Sequence, residues 1–346
     1  MSGQAERHRP QDAAEVAIDL SAVVLTVMDD EPQILLAPPP GDADAERQDA
    51  ALPSGPFTPA LHRTLEEGLR DWVAAQTGLR LGYVEQLYTF ADRYRDPREL
   101  SGGPRRLSIG YLALLRRPRT TALAAVTEAP GAWRPLYGFL PWEDRRAGPP
   151  ALLDEVIRPR LREWVAAGLE PTIRAERRGR VEAAFPDDRG DGRDWDPVPA
   201  LERYELLYEC ELTAEARRDA WARALHAARA LGAELPPAPP HAGPELGPAM
   251  RHDHRRILAT ALGRLRARLA YRPLLFELLP PAFTLSQLQG VAEALTGLRL
   301  HKQNFRRVVA DAGLVEPTGA MSRTGGRPAA LFRFRRGARP RHFTAP

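Results

Sequence analysis

Six side chains near the C-terminus are of the types that read a polar surface: His301, Lys302, Gln303, Asn304, Arg306 and Arg307, within LHKQNFRRVVADA. At helical spacing Phe305, Val308 and Val309 share one face of this segment and the six polar groups take the other. Arg, Lys, Asn and Gln present donors that match base edges in the major groove of DNA, and the cations also neutralise phosphate. The preceding segment, TLSQLQGVAEAL, opens on Thr284, a good N-cap, and places Leu288, Val291, Ala292 and Leu295 on one face. Two such helices joined by a Thr-Gly turn pack on each other, with Thr284 and Gln287 as further polar groups at the entrance. LVEP and ALFRF then flank a glycine-rich tip, SRTGGRP, which offers Arg323 and Arg327 to a backbone or minor groove. Helix, turn, helix and a two-stranded wing, in this order, predict a winged helix-turn-helix suited to double-stranded DNA; RNA binding is the weaker expectation, since the segment lacks an aromatic stacking platform. A merely solvated charged face leaves unexplained why a basic helix and a basic wing occur together.

A second group of candidates follows an apolar run ending at Phe90. Asp92, Arg93, Tyr94, Arg95, Asp96, Pro97 and Arg98 form a polar loop, and Arg105 and Arg106 precede the next apolar run. Guanidinium groups grip a pyrophosphate bidentately and a tyrosine ring stacks on a base, so Arg93, Tyr94, Arg98 and Arg105 are ligand-binding candidates. The same residues also suit a solvated loop. Trp72 is similarly open, either as core packing or as a stacking ring.

The elements that must position these residues divide by charge. Residues 251–346 hold eighteen Arg or Lys against five Asp or Glu, a net +13, which leaves −9 for the first 250 residues of a chain whose total is only +4. That is the footprint of a nucleic-acid-binding module joined to an acidic body. In the body, residues 19–28 (DLSAVVLTVM) read as a buried strand paired with residues 33–36 (QILL). A helix from Leu61 to Thr77 stops at Gly78, and strands follow at Tyr83–Phe90 and Leu107–Leu115. Helices near residues 151–167 and 200–231 surround an acidic loop, PDDRGDGRDWDPVP. Residues 232–249 are proline-rich and read as a linker. A helix at residues 252–270 and a short strand, PLLFELL, open the basic module.

No segment has the 18 or more apolar residues needed to span a bilayer, and the first residues do not resemble a signal peptide, so a cytoplasmic protein without membrane partners is expected. The single cysteine, Cys210, excludes an internal disulfide and a thiolate zinc cluster, and reads as a small helix residue. Lys302 is the only lysine beside 48 arginines.

FTLSQLQ, LHKQNFRRVVADAGLVEPTG and GGRPAALFRF resemble the C-terminal winged helix of the Nudix-related transcriptional regulators of NAD metabolism. LPSGPFTPALHRTLEEGLRDWVAAQTGLRLGYVEQLYTFADRYRDPREL and LERYELLYE are similar to the first domain of the same family, especially its bacterial NAD-biosynthesis branch. The resemblance implies an α+β chain: a Nudix-like α/β/α sandwich over residues 18–231 with a C-terminal helical extension, the linker at 232–249 and a winged helix at 250–338. Residues 1–17 and 339–346 are tails.

A working Nudix box holds magnesium on a diphosphate with paired glutamates of one helix. Aligned through TLEEGL and QTGL, this helix has Asp71 where the pattern requires arginine, Trp72 where it requires glutamate, and Ala75 and Gln76 where it requires the glutamate pair. Asp71 does not replace a carboxylate at 72, because adjacent helix positions point about 100° apart. Glu66 and Glu67 lie a turn or more earlier. The expectation is a non-enzyme with no catalytic or metal-binding residues and no required cofactor. It would be a homodimeric repressor of NAD biosynthesis or salvage genes that responds to NAD, ADP-ribose or a related nucleotide. The alternative is a Nudix hydrolase of dinucleotide pyrophosphates with an appended nucleic-acid-binding domain.

Overall fold

The computed structural model describes residues 16–37, 50–92, 97–100, 103–116, 132–187, 195–237, 246–269, 274–322 and 328–335. Its first half is built on a mixed sheet of order β4 (Tyr83–Phe90), β5 (Arg105–Leu114), β1 (Val16–Met28), β2 (Glu31–Leu36) and β6 (Ala132–Pro135), with the short β3 (Ser54–Pro56) also paired to β1. Strand β1 runs parallel to β5, with Leu20 opposite Ile109, and antiparallel to β2. Its long apolar run has a simple cause: both faces are covered. Leu20, Ala22 and Val24 join one buried cluster, and Val23, Leu25 and Val27 join another.

Helix α1 (Leu65–Thr77) covers the first face with Leu69 and Val73. It begins four residues later than the apolar pattern suggests, because Thr64 caps it by accepting from the Glu67 amide at 3.1 Å, while Arg63 N–H donates to the Glu67 carboxylate. Gly78 ends it at φ 69°, as the sequence indicates.

The second face is covered by α7 (His254–Leu269), the helix that charge counting assigns to the basic module. Ile257 packs where Gly110 of β5 has no side chain: a Cβ there would stand 3.0 Å from the Ile257 Cγ2. Ile257, Leu258, Leu262 and Leu265 are at most 1% exposed. Four of the arginines counted as module charge are also engaged with carboxylates of the body. Arg255 pairs with Glu215 at 3.2 Å and Arg268 with Glu85 at 2.5 Å, Arg256 pairs with Glu205 and Asp92, and Arg266 with Glu143. One apolar core therefore runs from Val23 and Leu25 of the sheet through α7 into the C-terminal helices.

The segment read as a linker is likewise part of this core at its end. Leu246 and Met250 are 4% and 0% exposed, Met250 pairs with Ala50 as an isolated bridge, and its amide donates to Glu215 at 2.8 Å. Residues 238–245 lie outside the described residues.

Between the sheet and α7 the chain forms α3 (Arg158–Ala166), entered by a π-turn at Leu153–Ile157, then α4 (Pro171–Ala184), α5 (Ala200–Glu209) and α6 (Ala214–Leu231). The expected helix at 200–231 is thus two helices. Glu211 at φ 55° breaks it, and Thr213 caps the second part by accepting from the Ala216 amide. Cys210 sits at this break, where burial and then Glu209 push its thiol up to about 12, in keeping with an inert residue. After α7, residues read as the strand PLLFELL instead form a helical turn, α8 (Leu275–Leu278). Its inward residues, Leu275 and Leu278, are three apart, a spacing that a four-residue apolar run does not distinguish from a strand. Helices α9 (Leu285–Thr296) and α10 (Lys302–Asp311) and the hairpin β7 (Val315–Ser322) to β8 (Ala329–Phe334) complete the fold.

Candidate nucleic-acid interface and ligand loop

Helix α9 starts with a reciprocal capping box. The Gln287 amide donates to Thr284 Oγ1 at 3.1 Å and the Thr284 amide donates to Gln287 Oε1 at 2.8 Å. Both candidates thus have a structural task, and Gln287 is also exposed at the start of α9. Leu288, Val291, Ala292 and Leu295 are buried, as their spacing indicates. Gly297 closes the helix at φ 71° and turns the chain toward α10.

On α10, Phe305 and Val309 are buried at 1% and 2%, which points the helix at α9 and leaves its other face outside. His301, Lys302, Gln303, Arg306 and Arg307 are exposed on that side. Asn304 is half-buried, and its Oδ1 accepts from Arg307 Nη2 at 2.7 Å, so the two side chains present themselves as a pair. The face holds, within one helical stretch, cations and amide groups, the chemistry that suits phosphates and base edges respectively. Arg299, three residues before Lys302 in the turn, is a further exposed cation, with its side chain 75% exposed and its Nη1 3.4 Å from the Glu293 carboxylate.

The wing is fixed to the segment before α9 by paired backbone bonds between Phe283 and Phe332, at 2.8 and 2.9 Å, and Phe276 packs on Phe334 with ring centroids 4.6 Å apart. Arg323 and Arg327 lie outside the described residues. On the strands themselves Glu316 pairs with Arg333 at 2.7 Å and Arg335 at 3.6 Å, which half-neutralises the base of the wing.

In the first domain the expected ligand loop is tied down at its edges. Asp92 pairs with Arg256 of α7, and Arg105 Nη2 donates to the Ala91 carbonyl at 2.6 Å. Arg106 clasps Asp19 of β1 through two bonds of 2.8 Å, and its amide donates to Glu99 at 2.9 Å. Arg106 is therefore engaged inside the protein. Glu99 stands on the short helix α2 (Pro97–Leu100), which packs on α6. Arg93 and Tyr94 lie outside the described residues, as does the side chain of Arg98.

Trp72 does not join this loop. Its indole covers Gly55 so closely that a Cβ there would lie 2.2 Å from the ring, and its Nε1 donates to the Pro56 carbonyl at 2.9 Å. One turn later Gln76 accepts from the Ser54 amide at 3.0 Å and donates to the Ser54 carbonyl at 2.7 Å. Both side chains staple α1 to β3. Asp71 and Ala75 face outward, Glu66 pairs with Arg70, and Glu67 belongs to the cap. Among the described residues no three His, Cys, Asp or Glu side chains group as metal ligands would.

Residues 275–334 match the model of the NrtR DNA-binding winged helix domain. The ADPR responsive transcriptional repressor NtrR of Acinetobacter baylyi is 42% identical over 82 residues, 24% of this chain and 33% of that protein. The matched part thus spans about a third of the length of that curated relative. Among solved structures, Shewanella oneidensis NrtR complexed with a 27mer DNA aligns with a TM-score of 0.51 at 18% identity, over 92% of this chain and 93% of that one. The same protein without DNA aligns with a TM-score of 0.50 at 18% identity, over 94% and 98%. At this identity the likeness is one of fold: a Nudix-like sandwich followed by a winged helix.

Proposed function

We propose that this chain is a transcriptional repressor whose winged helix binds operator DNA and whose Nudix-like domain senses an NAD-related nucleotide, ADP-ribose foremost. The observation that carries the reading is the match of residues 275–334 to a DNA-binding winged helix, with His301, Lys302, Gln303, Arg306 and Arg307 exposed on α10. Phosphate contacts by the cations supply affinity and register, and base-edge donors supply discrimination. The Acinetobacter relative, described as ADPR responsive, supports the choice of effector. The genes controlled are those of NAD biosynthesis or salvage, and the protein acts in the cytoplasm as a homodimer, since paired half-sites match a two-fold protein. No described helix is long and apolar enough to cross a membrane.

The first domain binds and does not hydrolyse. Trp72 and Gln76 occupy helix positions where a hydrolase places carboxylates, and both are bonded to the backbone of β3, so this helix does not fit a magnesium ion on a diphosphate. Arg93, Tyr94, Arg98 and Arg105 are the residues proposed to hold the nucleotide, and Trp72 packs its ring on Gly55 instead of stacking on the ligand. The test is fluorescence anisotropy on the DNA upstream of the gene, repeated with ADP-ribose, NAD, NMN, nicotinate mononucleotide and ATP, beside a magnesium-dependent assay on ADP-ribose. Specific binding that ADP-ribose alters, with no turnover, is expected. Metal-dependent turnover without DNA binding would establish the hydrolase instead.

A further inference from the structure

The C-terminal end of a helix leaves carbonyls with no partner in the helix, and in a free-standing winged helix water takes them. Here the body takes them. Tyr137 OH donates to the Ala294 carbonyl at 2.7 Å, Arg266 Nε donates to the Leu295 carbonyl at 3.1 Å, and the Arg145 amide donates to the Gly297 carbonyl at 2.8 Å. Gly297 approaches so closely that a Cβ would stand 2.3 Å from the Glu143 carbonyl oxygen. Its absent side chain thus serves the left-handed turn and the docking at once.

The guanidinium that reaches this turn is held by a fully buried carboxylate. Glu143, 0% exposed, accepts from Arg203 at 2.6 and 3.1 Å and from Arg266. Arg266 also donates to the Pro197 carbonyl at 2.8 Å, and Arg203 to the Asp196 carbonyl at 3.0 Å while standing 4.1 Å above the Trp195 ring. Every partner of this network except the two α9 carbonyls and that of Gly297 belongs to the body or to α7. A second contact lies about two turns before Gly297, at Gly290 of α9, where a Cβ would meet Asp30 Oδ1 at 2.2 Å. Asp30 is the tip of the β1–β2 hairpin, held at φ 61°.

We infer that Glu143, Tyr137 and Arg266 are positioning residues for DNA reading, which fix the turn between α9 and α10 from the body so that the reading helix has one orientation relative to the sensing domain. This inference rests on the proposed regulator function and deepens it. The turn is the pivot of the motif: α10 begins five residues after Gly297, and its angle follows from how Thr296 to Leu300 are held. The winged helix is consequently no module swinging on a proline-rich tether.

The experiment uses the full chain with Tyr137→Phe, which removes one hydroxyl, and Glu143→Gln, which keeps shape and removes the charge. Hydrogen exchange of the amides of residues 291–300 is expected to accelerate threefold or more in each variant relative to β1. Operator affinity is expected to fall three- to tenfold for Tyr137→Phe, while affinity for a scrambled duplex changes less than twofold. A loss of folded protein lowers both affinities alike, so the ratio separates mispositioning from instability. Unchanged exchange in Tyr137→Phe overturns the inference, whatever the DNA result. Accelerated exchange with an unchanged ratio of affinities overturns the link to reading. If the wild-type chain prefers no upstream DNA, the regulator reading fails, and the exchange data still decide whether the body holds the turn.

Discussion

Replacing Glu143 by Gln removes the one negative charge that Arg203 and Arg266 share, and both cations are then left 1% exposed with carbonyl and hydroxyl groups in place of their carboxylate partner. Breaking a buried ion pair by deleting one partner costs about 3–5 kcal/mol, because the remaining charge is stranded out of water. With an unfolding entropy of about 2.1 cal/mol/K per residue, a chain of 346 residues has about 0.7 kcal/mol/K, so the expected loss in Tm is about 4–7 °C. The effect carries a pH signature. Burial pushes the Glu143 carboxyl up, but Arg203 and Arg266 together outweigh it and hold the group below the usual carboxylate range. A folded pKa below the unfolded one means that the contribution is fully present above the unfolded value, near pH 4.5, and is lost as pH falls through the folded value. Urea denaturation of both proteins between pH 7 and pH 3 would measure it: the stability gap should be full at pH 7 and narrow only below about pH 4.5. A gap under about 1 kcal/mol at pH 7 would refute the account of the network as an ion triad stabilised by mutual pairing.

Arg306→Ala and Arg307→Ala should each weaken operator binding and flatten the dependence of log K on log salt by about 0.9, read from titrations at several salt concentrations. Substituting Lys302, Gln303 or Asn304 should change base preference by about 1–3 kcal/mol at individual positions of the site, whereas Arg327→Ala should lower affinity evenly across sequences, and a selection of bound duplexes would show the difference. Thr284→Ala should cost about 1 kcal/mol of stability through loss of the capping box, seen as a shift in the urea midpoint at unchanged slope. Calorimetry on the full chain should show ADP-ribose binding that weakens at least tenfold when Arg93 and Arg98 are both Ala, and equal affinity in that variant would move the nucleotide site elsewhere.

What the sequence made plain was what repeats locally. The capping box at Thr284, the alternating faces of α9 and α10 and the apolar length of β1 all lie within windows of fifteen residues, and periodicity reads such windows well. Helix α4 was invisible for the same reason, since of its fourteen residues only Ala184 is buried and no apolar stripe marks it. The place of α7 was misread because charge counting treats every arginine as surface. Apart from Asp253, three residues before Arg256, the carboxylates that pair with Arg255, Arg256, Arg266 and Arg268 lie 40 to 183 residues away in the chain, where no local pattern records them. At the ligand loop, residue type suggested donors for a phosphate but could not show that Arg106 is already clasped by Asp19, 87 residues distant. Nor does any local pattern record that the Trp72 ring packs on Gly55, seventeen residues before it.

The chain's one lysine side chain stands exposed in the first turn of α10. Amine-directed chemistry on this protein therefore has a single lysine target, and that target lies on the face proposed to read DNA. On the proposed function, a fluorophore or a photo-crosslinker carried by a succinimide ester would land beside the nucleic acid without any engineered residue. Acylation of Lys302 deletes one cation from that face and no lysine charge anywhere else. Shielding of this amine by a bound duplex, followed by mass spectrometry of one peptide, then serves as a footprint of occupancy.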